Sequence, residues 1–159
     1  MINFIRIDDR LIHGQVVTAW IKEYKTNRIW VIDDIAAEDE FLKNVMKMVA
    51  PSSVQLEITG TQGLAEKIHQ YDESKENIMI LVKTPKVAQK IFDAGVQLRL
   101  LNVGGMGAND QRRSLYKNIS ISEEEEEVLK DLVENGIDVY VQVIPNDKKT
   151  DFIELLSQN

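Results

Sequence analysis

One feature constrains the fold of this chain more than any other: two kinds of segment alternate along it. Short runs rich in Ile, Val and Leu, among them residues 3–7, 28–32 and 77–82, are separated by longer stretches whose apolar residues lie three or four positions apart. The short runs are typical of buried strands, and the longer spacing is typical of amphipathic helices. Strands and helices joined by short loops build right-handed β–α–β crossovers. We therefore predict an α/β fold, Rossmann-like, with a mostly parallel, doubly wound sheet covered by helices on both faces.

The same pattern predicts most element boundaries. Strands are expected at residues 3–7, 28–32, 54–58, 77–82, 96–103 and 137–144. Thr84 followed by Pro85 is a strong helix start, and Ser122 with Glu125 has the spacing of a capping box. No linker or repeat interrupts the alternation, and 159 residues are about the size of one domain. Residues 1–159 are therefore expected to form a single domain.

Composition excludes several classes of function. The chain has no cysteine, so it can form neither a disulfide nor a thiolate metal site. Its 26 Asp and Glu against 19 Lys and Arg give a formal net charge of −7, which argues against nucleic acid or an anionic membrane surface as the main partner. The acidic run from Glu123 to Glu127 fits a solvated first turn of a helix. Neither a signal peptide nor a membrane-spanning run is visible, so a cytoplasmic location is expected.

In a sheet of this kind, ligands bind outside the carboxyl ends of the strands. Those ends are residues 8–15, 33–34, 59–60, 83–84 and 102–109. The first is the most informative, because its sequence, Asp-Asp-Arg-Leu-Ile-His-Gly-Gln, contains two carboxylates, a guanidinium and an imidazole. We expect His13 at the start of the first helix, where free backbone N–H groups and the helix dipole favour an anion.

The residue types around His13 suit covalent phosphate chemistry. Arg10 can bring a planar fork of donors to a phosphate, and Gly14 lets the backbone approach closely. A carboxylate from Asp8 or Asp9 could hold one ring nitrogen as a donor and leave the other as a nucleophile. The alternative is an ordinary loop histidine that caps the helix or packs against it.

Residues 102–107, Asn-Val-Gly-Gly-Met-Gly, form a second candidate segment. This glycine-rich exit from a strand could wrap an anion or admit the backbone of a partner. Equally, its glycines could serve turns that need a positive φ. A dinucleotide fingerprint is not expected, because the loop after the first strand has only Gly14. Arg112 and Arg113 follow closely and could add positive charge to the same rim or to a partner surface.

Other notable side chains have structural interpretations. The acidic pairs at residues 8–9 and 33–34 suggest a divalent metal, but adjacent acids at strand ends are common in turns, so no metal site is expected. Trp20 and Trp30 fit core positions. His69 lies on a predicted helix without the neighbours that surround His13, and it is expected on the surface.

Residues 6–20, Arg-Ile-Asp-Asp-Arg-Leu-Ile-His-Gly-Gln-Val-Val-Thr-Ala-Trp, closely resemble the IIB component of the mannose/fructose/sorbose family of the bacterial phosphoenolpyruvate-dependent sugar phosphotransferase system. The resemblance continues through Lys-Thr-Pro at 83–85, Leu-Asn-Val-Gly-Gly-Met at 101–106 and Gln-Val-Ile-Pro-Asn-Asp at 142–147. It therefore covers essentially the whole chain.

The resemblance implies a phosphocarrier that needs no cofactor. In this family the histidine, here His13, accepts a phosphoryl group on Nδ1 from a phosphohistidine of IIA, and the arginine, here Arg10, helps to stabilise it. The group then passes to a sugar carried by the membrane subunits IIC and IID. The expected site comprises His13 as the phosphohistidine, Arg10, Gly14 and Gln15 at the phosphate, and Asp8, Asp9, Asp34 and Thr84 behind them.

The resemblance also implies how the protein is organised. IIA is expected as a separate protein, association with the membrane would be peripheral, and a homodimer is possible. Mannose, fructose, sorbose and N-acetylated hexosamines all remain open as the sugar.

Two other functions compete with the phosphocarrier. A signalling receiver domain also has acids after its first strand, but it needs an acceptor aspartate where this chain has Thr59-Gly60. A non-catalytic module of the same fold would use the His13 loop only to bind an anion or to regulate.

Overall fold

The structure, a computed structural model, describes residues 1–158 and contains nine strands. They are β1 (Ile2–Asp8), β2 (Arg28–Ile32), β3 (Gln55–Thr59), β4 (Ile78–Val82), β5 (Leu100–Gly105), β6 (Arg113–Tyr116), β7 (Ile119–Ile121), β8 (Asp138–Val141) and β9 (Thr150–Asp151). Seven of them form one sheet in the order β3-β2-β4-β1-β5-β8-β9, and β6 and β7 form a separate hairpin. All pairs in the large sheet are parallel except β8 with β9. The predicted mostly parallel sheet is confirmed.

Seven helices connect these strands within residues 1–158. They are α1 (Gly14–Tyr24), α2 (Asp34–Glu38), α3 (Glu40–Val49), α4 (Leu64–Asp72), α5 (Pro85–Asp93), α6 (Glu123–Glu134) and α7 (Phe152–Ser157). The core residues of α1, α2 and α3 pack on one face of the sheet, and those of α4 to α7 pack on the other. The helices therefore cover both faces, as predicted. None of the helices in the described part of the chain is both long enough and apolar enough to span a membrane.

Local sequence explains where the elements begin. Every residue of β4 is buried, as expected for a central parallel strand covered on both faces. The Thr84 side chain accepts a hydrogen bond from the Val87 amide at the start of α5. Ser122 and Glu125 form the predicted capping box of α6. Trp20 and Trp30 are both buried in the core, so their predicted positions are confirmed.

Some predicted boundaries are wrong, and the hydrogen bonds show why. β5 begins at Leu100 rather than at residue 96, because the Gln97 amide donates to the Asp72 carboxylate instead of a neighbouring strand. β8 ends at Val141 rather than at residue 144. The following residues form a turn around the Gln142 side chain, because its amide donates to the carbonyls of Pro145 and Asp147. The β6–β7 hairpin and β9 were not predicted at all.

Candidate functional site

The loop between β1 and α1 is held in place by its own apolar residues. Leu11 and Ile12 are buried in the core on the α1 face of the sheet. Leu11 adopts a positive φ of 55°, and its amide donates to the carbonyl of Asp8 at 2.8 Å. A non-glycine residue in the left-handed region is strained, and such strain persists only where the surroundings fix the backbone. The two anchors therefore fix the start of α1 and with it His13.

His13 occupies the N-cap position of α1 and contacts one carboxylate. Its Nε2 lies 2.9 Å from Oδ2 of Asp8, and its side chain is 23% exposed. Because an ionised carboxylate can only accept, this contact places a proton on Nε2. Among the hydrogen bonds of residues 1–158 none involves Nδ1, and in the neutral imidazole with its proton on Nε2 the free lone pair is on Nδ1. Of the two aspartates expected to orient the ring, the structure brings Asp8 to His13.

Asp8 is a buried carboxylate surrounded by donors. Its Oδ1 accepts from the backbone amide of Arg10 at 3.1 Å and from the Arg10 Nε at 3.3 Å. Its Oδ2 accepts from Arg6 Nη2 at 3.1 Å as well as from His13. Burial by itself would raise the pKa of Asp8, but the hydrogen bond of His13, the charge of Arg6 and the donors of Arg10 outweigh it. The pKa of Asp8 therefore lies below its usual range, and the group is ionised at neutral pH.

Arg6 connects this carboxylate to the neighbouring strands. It is only 1% exposed, and its Nη1 donates to Oδ1 of Asn102 at 2.6 Å and to the carbonyl of Gln142 at 3.1 Å. The strand register explains the contact with Asn102, because Arg6 of β1 pairs with Asn102 of β5. Desolvation lowers the pKa of Arg6, while the charge of Asp8 acts in the opposite direction.

The glycines of residues 104–107 make room for charged side chains. A Cβ at Gly104 would overlap the guanidinium of Arg6, and one at Gly105 would lie 2.9 Å from Oδ1 of Asp8. A Cβ at Gly107 would lie 3.2 Å from Oδ2 of Asp9. None of the three has a positive φ, so the interpretation as turns that need this conformation is wrong. The segment opens space for the ion network beside His13.

Asp9 has no hydrogen bond to His13 among those of residues 1–158, and it fastens the loop to the β5–β6 connection. Its Oδ2 accepts from the Gly107 amide at 2.7 Å and lies 3.5 Å from Nη1 of Arg112. Arg112 in turn binds both carboxylate oxygens of Glu125, at 2.8 and 2.7 Å. The side chain of Arg113 forms an ion pair with Glu126. Both arginines are therefore paired with acids of α6, so they add little net positive charge to the rim beside His13.

The three residues expected at the phosphate, Arg10, Gly14 and Gln15, lie close to His13 because they are its neighbours in the chain. Gly14 begins α1 with a positive φ of 44°, which glycine adopts at no steric cost. Gln15 follows in the first turn and is exposed. The Arg10 side chain is 52% exposed and contacts Asp8 through Nε, and its Nη atoms have no partner among residues 1–158. The side chain of His13 does not cap the helix, which leaves the first amides of α1 open to a ligand.

The remaining expected residues have other partners. Asp34 accepts from the Thr61 amide at 2.7 Å, and it follows β2, which is separated from β1 by β4. Thr84 caps α5 and lines a cavity with Arg112 and Glu125. In residues 1–158 no hydrogen bond joins either of them to His13. His69 has a side chain that is 76% exposed, which confirms its predicted surface position.

Arg6 and Gln142 are the members of the network that residue types and spacing did not reveal as a site, whereas Asn102 belongs to the second candidate segment. One signal was available, since a charged residue within the apolar run of residues 3–7 must have a buried partner. Within the described residues no group of three or more His, Asp and Glu side chains is arranged to hold a metal ion.

Comparison with known proteins finds relatives that match nearly the full length of the chain. The family model described as "PTS system sorbose subfamily IIB component" matches residues 2–159. The fructose-specific EIIB component of the phosphotransferase system of Bacillus subtilis (strain 168) is 34% identical over 158 residues, which cover 98% of this chain and 97% of that protein.

A second relative is longer. The mannose-specific EIIAB component of Escherichia coli (strain K12) is 34% identical over 161 residues, which cover 99% of this chain, and the match spans 49% of the relative's length. Among solved structures, the IIBSor domain of the sorbose permease from Klebsiella pneumoniae superposes with a TM-score of 0.93 at 27% identity, with coverage of 100% of this chain and 98% of that one.

Proposed function

The chain belongs to the sorbose subfamily of IIB components of the phosphotransferase system, and from that premise we propose that His13 is the residue that carries the phosphoryl group. IIB components of this system are sugar phosphotransferases that act as phosphocarriers. The observation that carries the proposal is the contact between His13 Nε2 and Asp8 Oδ2 at 2.9 Å, at the open amino end of α1. It leaves Nδ1 as the nucleophile beside a ready anion site.

The first step is the transfer from a phosphohistidine of a IIA partner. The Nδ1 lone pair of His13 attacks phosphorus while the donor N–P bond breaks and its electron pair returns to the donor imidazole. The His13 ring keeps its Nε2 proton and becomes positively charged as the new N–P bond forms. The ionised Asp8 stabilises that charge, as a buried aspartate does in other histidine-based catalysts.

The phosphoryl oxygens need donors on the opposite side of the ring. The first amides of α1, at Gly14 and Gln15, offer backbone N–H groups and the positive end of the helix dipole. Arg10 adds the Nη donors that its contact with Asp8 leaves free. Positioning and charge stabilisation of this kind are what phosphoryl transfer chiefly requires.

The second step delivers the group to a sugar presented by the membrane subunits IIC and IID. The Nδ1–P bond breaks, its electron pair returns to the ring, and a bond to the sugar hydroxyl oxygen forms as the hydroxyl proton leaves to solvent. The protein would work at the membrane as a peripheral partner of these subunits. Among its relatives, names specify fructose, mannose, sorbose and N-acetylgalactosamine.

Labelling tests the proposal directly. The purified protein is incubated with labelled phosphoenolpyruvate, the general phosphotransferase proteins and a IIA protein, and the stability of the bound phosphate is measured. We expect an acid-labile, base-stable phosphate on the wild type and no phosphate on His13→Ala. His69→Ala is the matched control, because the second histidine is exposed and lies on α4.

Two results would contradict a His13 phosphocarrier. One is the absence of label from wild-type protein under conditions in which IIA itself is phosphorylated, which would favour a module that only binds anions. The other is equal labelling of His13→Ala and the wild type.

A further inference from the structure

Arg6 is a fully buried arginine that has no role in the transfer steps proposed above. Removing a guanidinium from water is costly, and replacing a buried ion pair by apolar residues is often neutral or stabilising. Stability alone is therefore a weak reason for an arginine in the centre of the sheet. Its contacts lead instead toward the reacting imidazole.

Arg6 and His13 bind the same oxygen of the same carboxylate. Oδ2 of Asp8 lies 3.1 Å from Nη2 of Arg6 and 2.9 Å from Nε2 of His13. A positive charge on this oxygen lowers the affinity of the carboxylate for a proton. The proton between Asp8 and His13 therefore stays on Nε2, and the lone pair stays on Nδ1.

The guanidinium is itself fixed from three sides. Asn102 and the carbonyl of Gln142 bind Nη1, and the Trp20 ring lies 5.5 Å from the Arg6 Cζ. Trp20 is anchored in turn, because its indole N–H donates to the carbonyl of Val143 at 3.0 Å. The absent side chain at residue 104 leaves the space that the guanidinium fills. The position of the Arg6 guanidinium is thus set by residues of β5, of α1 and of the segment after β8, and Arg6 in turn binds Asp8.

We propose that Arg6 is a positioning residue for phosphoryl transfer: it holds Asp8 ionised and oriented, so that His13 keeps its proton on Nε2 and presents Nδ1. The proposal rests on the proposed function of His13 for its kinetic consequence, but the effect of Arg6 on the tautomer of the unphosphorylated protein does not depend on that function. Lysine is a poor substitute, because one ammonium cannot reproduce the planar fork that binds three partners.

Three variants and one control test the positioning role of Arg6. Arg6→Gln removes the charge, Arg6→Lys keeps a charge without the fork, and Gly104→Ala intrudes on the guanidinium without changing any charge. Arg28→Gln is the matched control, because Arg28 is a strand arginine paired with Glu57 and Glu76 at the opposite end of the sheet. Circular dichroism identifies the variants that fold.

Two measurements are made on each folded variant. Nitrogen-15 NMR of unphosphorylated protein reports the His13 tautomer, and labelling between pH 5 and 9 reports the rate of phosphoryl acceptance. We expect the wild type and Arg28→Gln to show the Nε2–H tautomer and the same profile. Arg6→Gln should lose the tautomer preference, accept phosphoryl about tenfold or more slowly, and shift the acid side of its profile to higher pH. Arg6→Lys and Gly104→Ala should show smaller losses of the same kind.

The outcomes separate this proposal from the previous one. If neither the wild type nor any variant is labelled, but the His13 tautomer is fixed in the wild type and not in the Arg6 variants, the phosphocarrier function of His13 is wrong and only the role of Arg6 in fixing the tautomer stands. A wild-type tautomer and wild-type rate in every folded Arg6 and Gly104 variant would overturn the positioning role. Arg6→Lys or Gly104→Ala decides the matter should Arg6→Gln fail to fold.

Discussion

The same dipeptide, Asp-Asp, ends two strands of the sheet, and its two copies have different surroundings. Asp8 ends β1 and Asp9 follows it, while Asp33 and Asp34 follow β2. Asp8 is buried against Arg6, Arg10 and His13. Asp33 is also buried, but its carboxylate caps α2 by accepting from the Ala36 amide at 2.9 Å. A buried carboxylate at the end of a strand is thus a cap in one place and part of an ion network in the other.

The second aspartate of each pair does the same work in both places. Asp9 accepts from the Gly107 amide and Asp34 accepts from the Thr61 amide, both at 2.7 Å. Each fastens the end of its strand to the loop that follows a neighbouring strand. The two pairs differ most at their first member: Asp33 directly precedes α2 and caps it, whereas Asp8 lies six residues before the start of α1 and faces Arg6. The place of Arg6 in β1 is taken by Val31 in β2. A buried cation two residues before the pair thus accompanies the candidate site at β1, and an apolar residue at the same place accompanies the helix cap after β2.

Exchange of the first aspartates by asparagine should give the largest contrast. Asp8→Asn places an amide beside His13 that can donate to Nε2 and so stabilise the wrong tautomer, and we expect phosphoryl acceptance to fall about 100-fold or more. Asp33→Asn should change neither the rate nor the stability appreciably, because asparagine caps helices as well as aspartate does. Labelling rates from phosphorylated IIA measure both.

Asp9→Asn completes this comparison. Because the Asp9 carboxylate binds Gly107 and Arg112, Asp9→Asn should lower the rate of phosphoryl acceptance far less than Asp8→Asn does. Wild-type rates for both Asp8→Asn and Asp9→Asn would show that neither carboxylate orients the ring.

The glycines opposite the two pairs offer a smaller contrast. A Cβ at Gly105 would lie 2.9 Å from Oδ1 of Asp8, and a Cβ at Gly60 would lie 2.6 Å from Oδ1 of Asp34. Asp8 is enclosed and cannot move, so Gly105→Ala should cost about 1–3 kcal/mol of unfolding free energy and slow phosphoryl acceptance. Asp34 is exposed and can rotate away, so Gly60→Ala should change stability by less than about 0.5 kcal/mol. Urea titrations measure the difference, and an equal cost at both glycines would show that enclosure of the aspartate is not what matters.

The fold could be predicted from the sequence because the signals for its elements are local. The apolar runs and the caps at Thr84 and Ser122 lie within a few residues of the elements that they define. The β6–β7 hairpin and β9 are too short to carry such a pattern. Asn102 and Gln142 contact Arg6 because β1, β5 and β8 are consecutive in the sheet. The order of strands in a sheet cannot be predicted from local hydrophobic periodicity.

The same distinction applies to the site. His13, Arg10 and a carboxylate of Asp8 or Asp9 could be predicted as one cluster because they lie within six consecutive residues, but the contact of Asp8 rather than Asp9 with His13 required the structure. Asp34 and Thr84 were expected near His13 because they lie at the carboxyl ends of strands. Strand ends indicate which edge of the sheet a residue lies on, but they do not give its distance from His13 along that edge. The glycines at 104–107 could be recognised as a cluster, yet the side chains that occupy their space come from residues 6–9, about 100 positions earlier.

Acid stability should give the smallest contrast between the two pairs. The folded-state pKa of Asp8 is lowered because His13, Arg6 and Arg10 outweigh the opposing effect of burial, and that of Asp34 is lowered by the hydrogen bonds of Thr61. A carboxyl whose pKa is lower in the folded chain stabilises the fold above its unfolded pKa, about 3.9 for aspartate, and this contribution is lost as the pH falls through the folded pKa. The unfolding free energy of the wild type should therefore fall below about pH 4. Asp8→Asn should flatten that fall measurably, whereas Asp34→Asn should flatten it only slightly, because solvent screens an exposed group. Urea titrations from pH 7 to pH 2.5 measure the slopes, and a larger flattening in Asp34→Asn would mean that the charged network around Asp8 contributes less to stability than a single exposed hydrogen-bonded carboxylate.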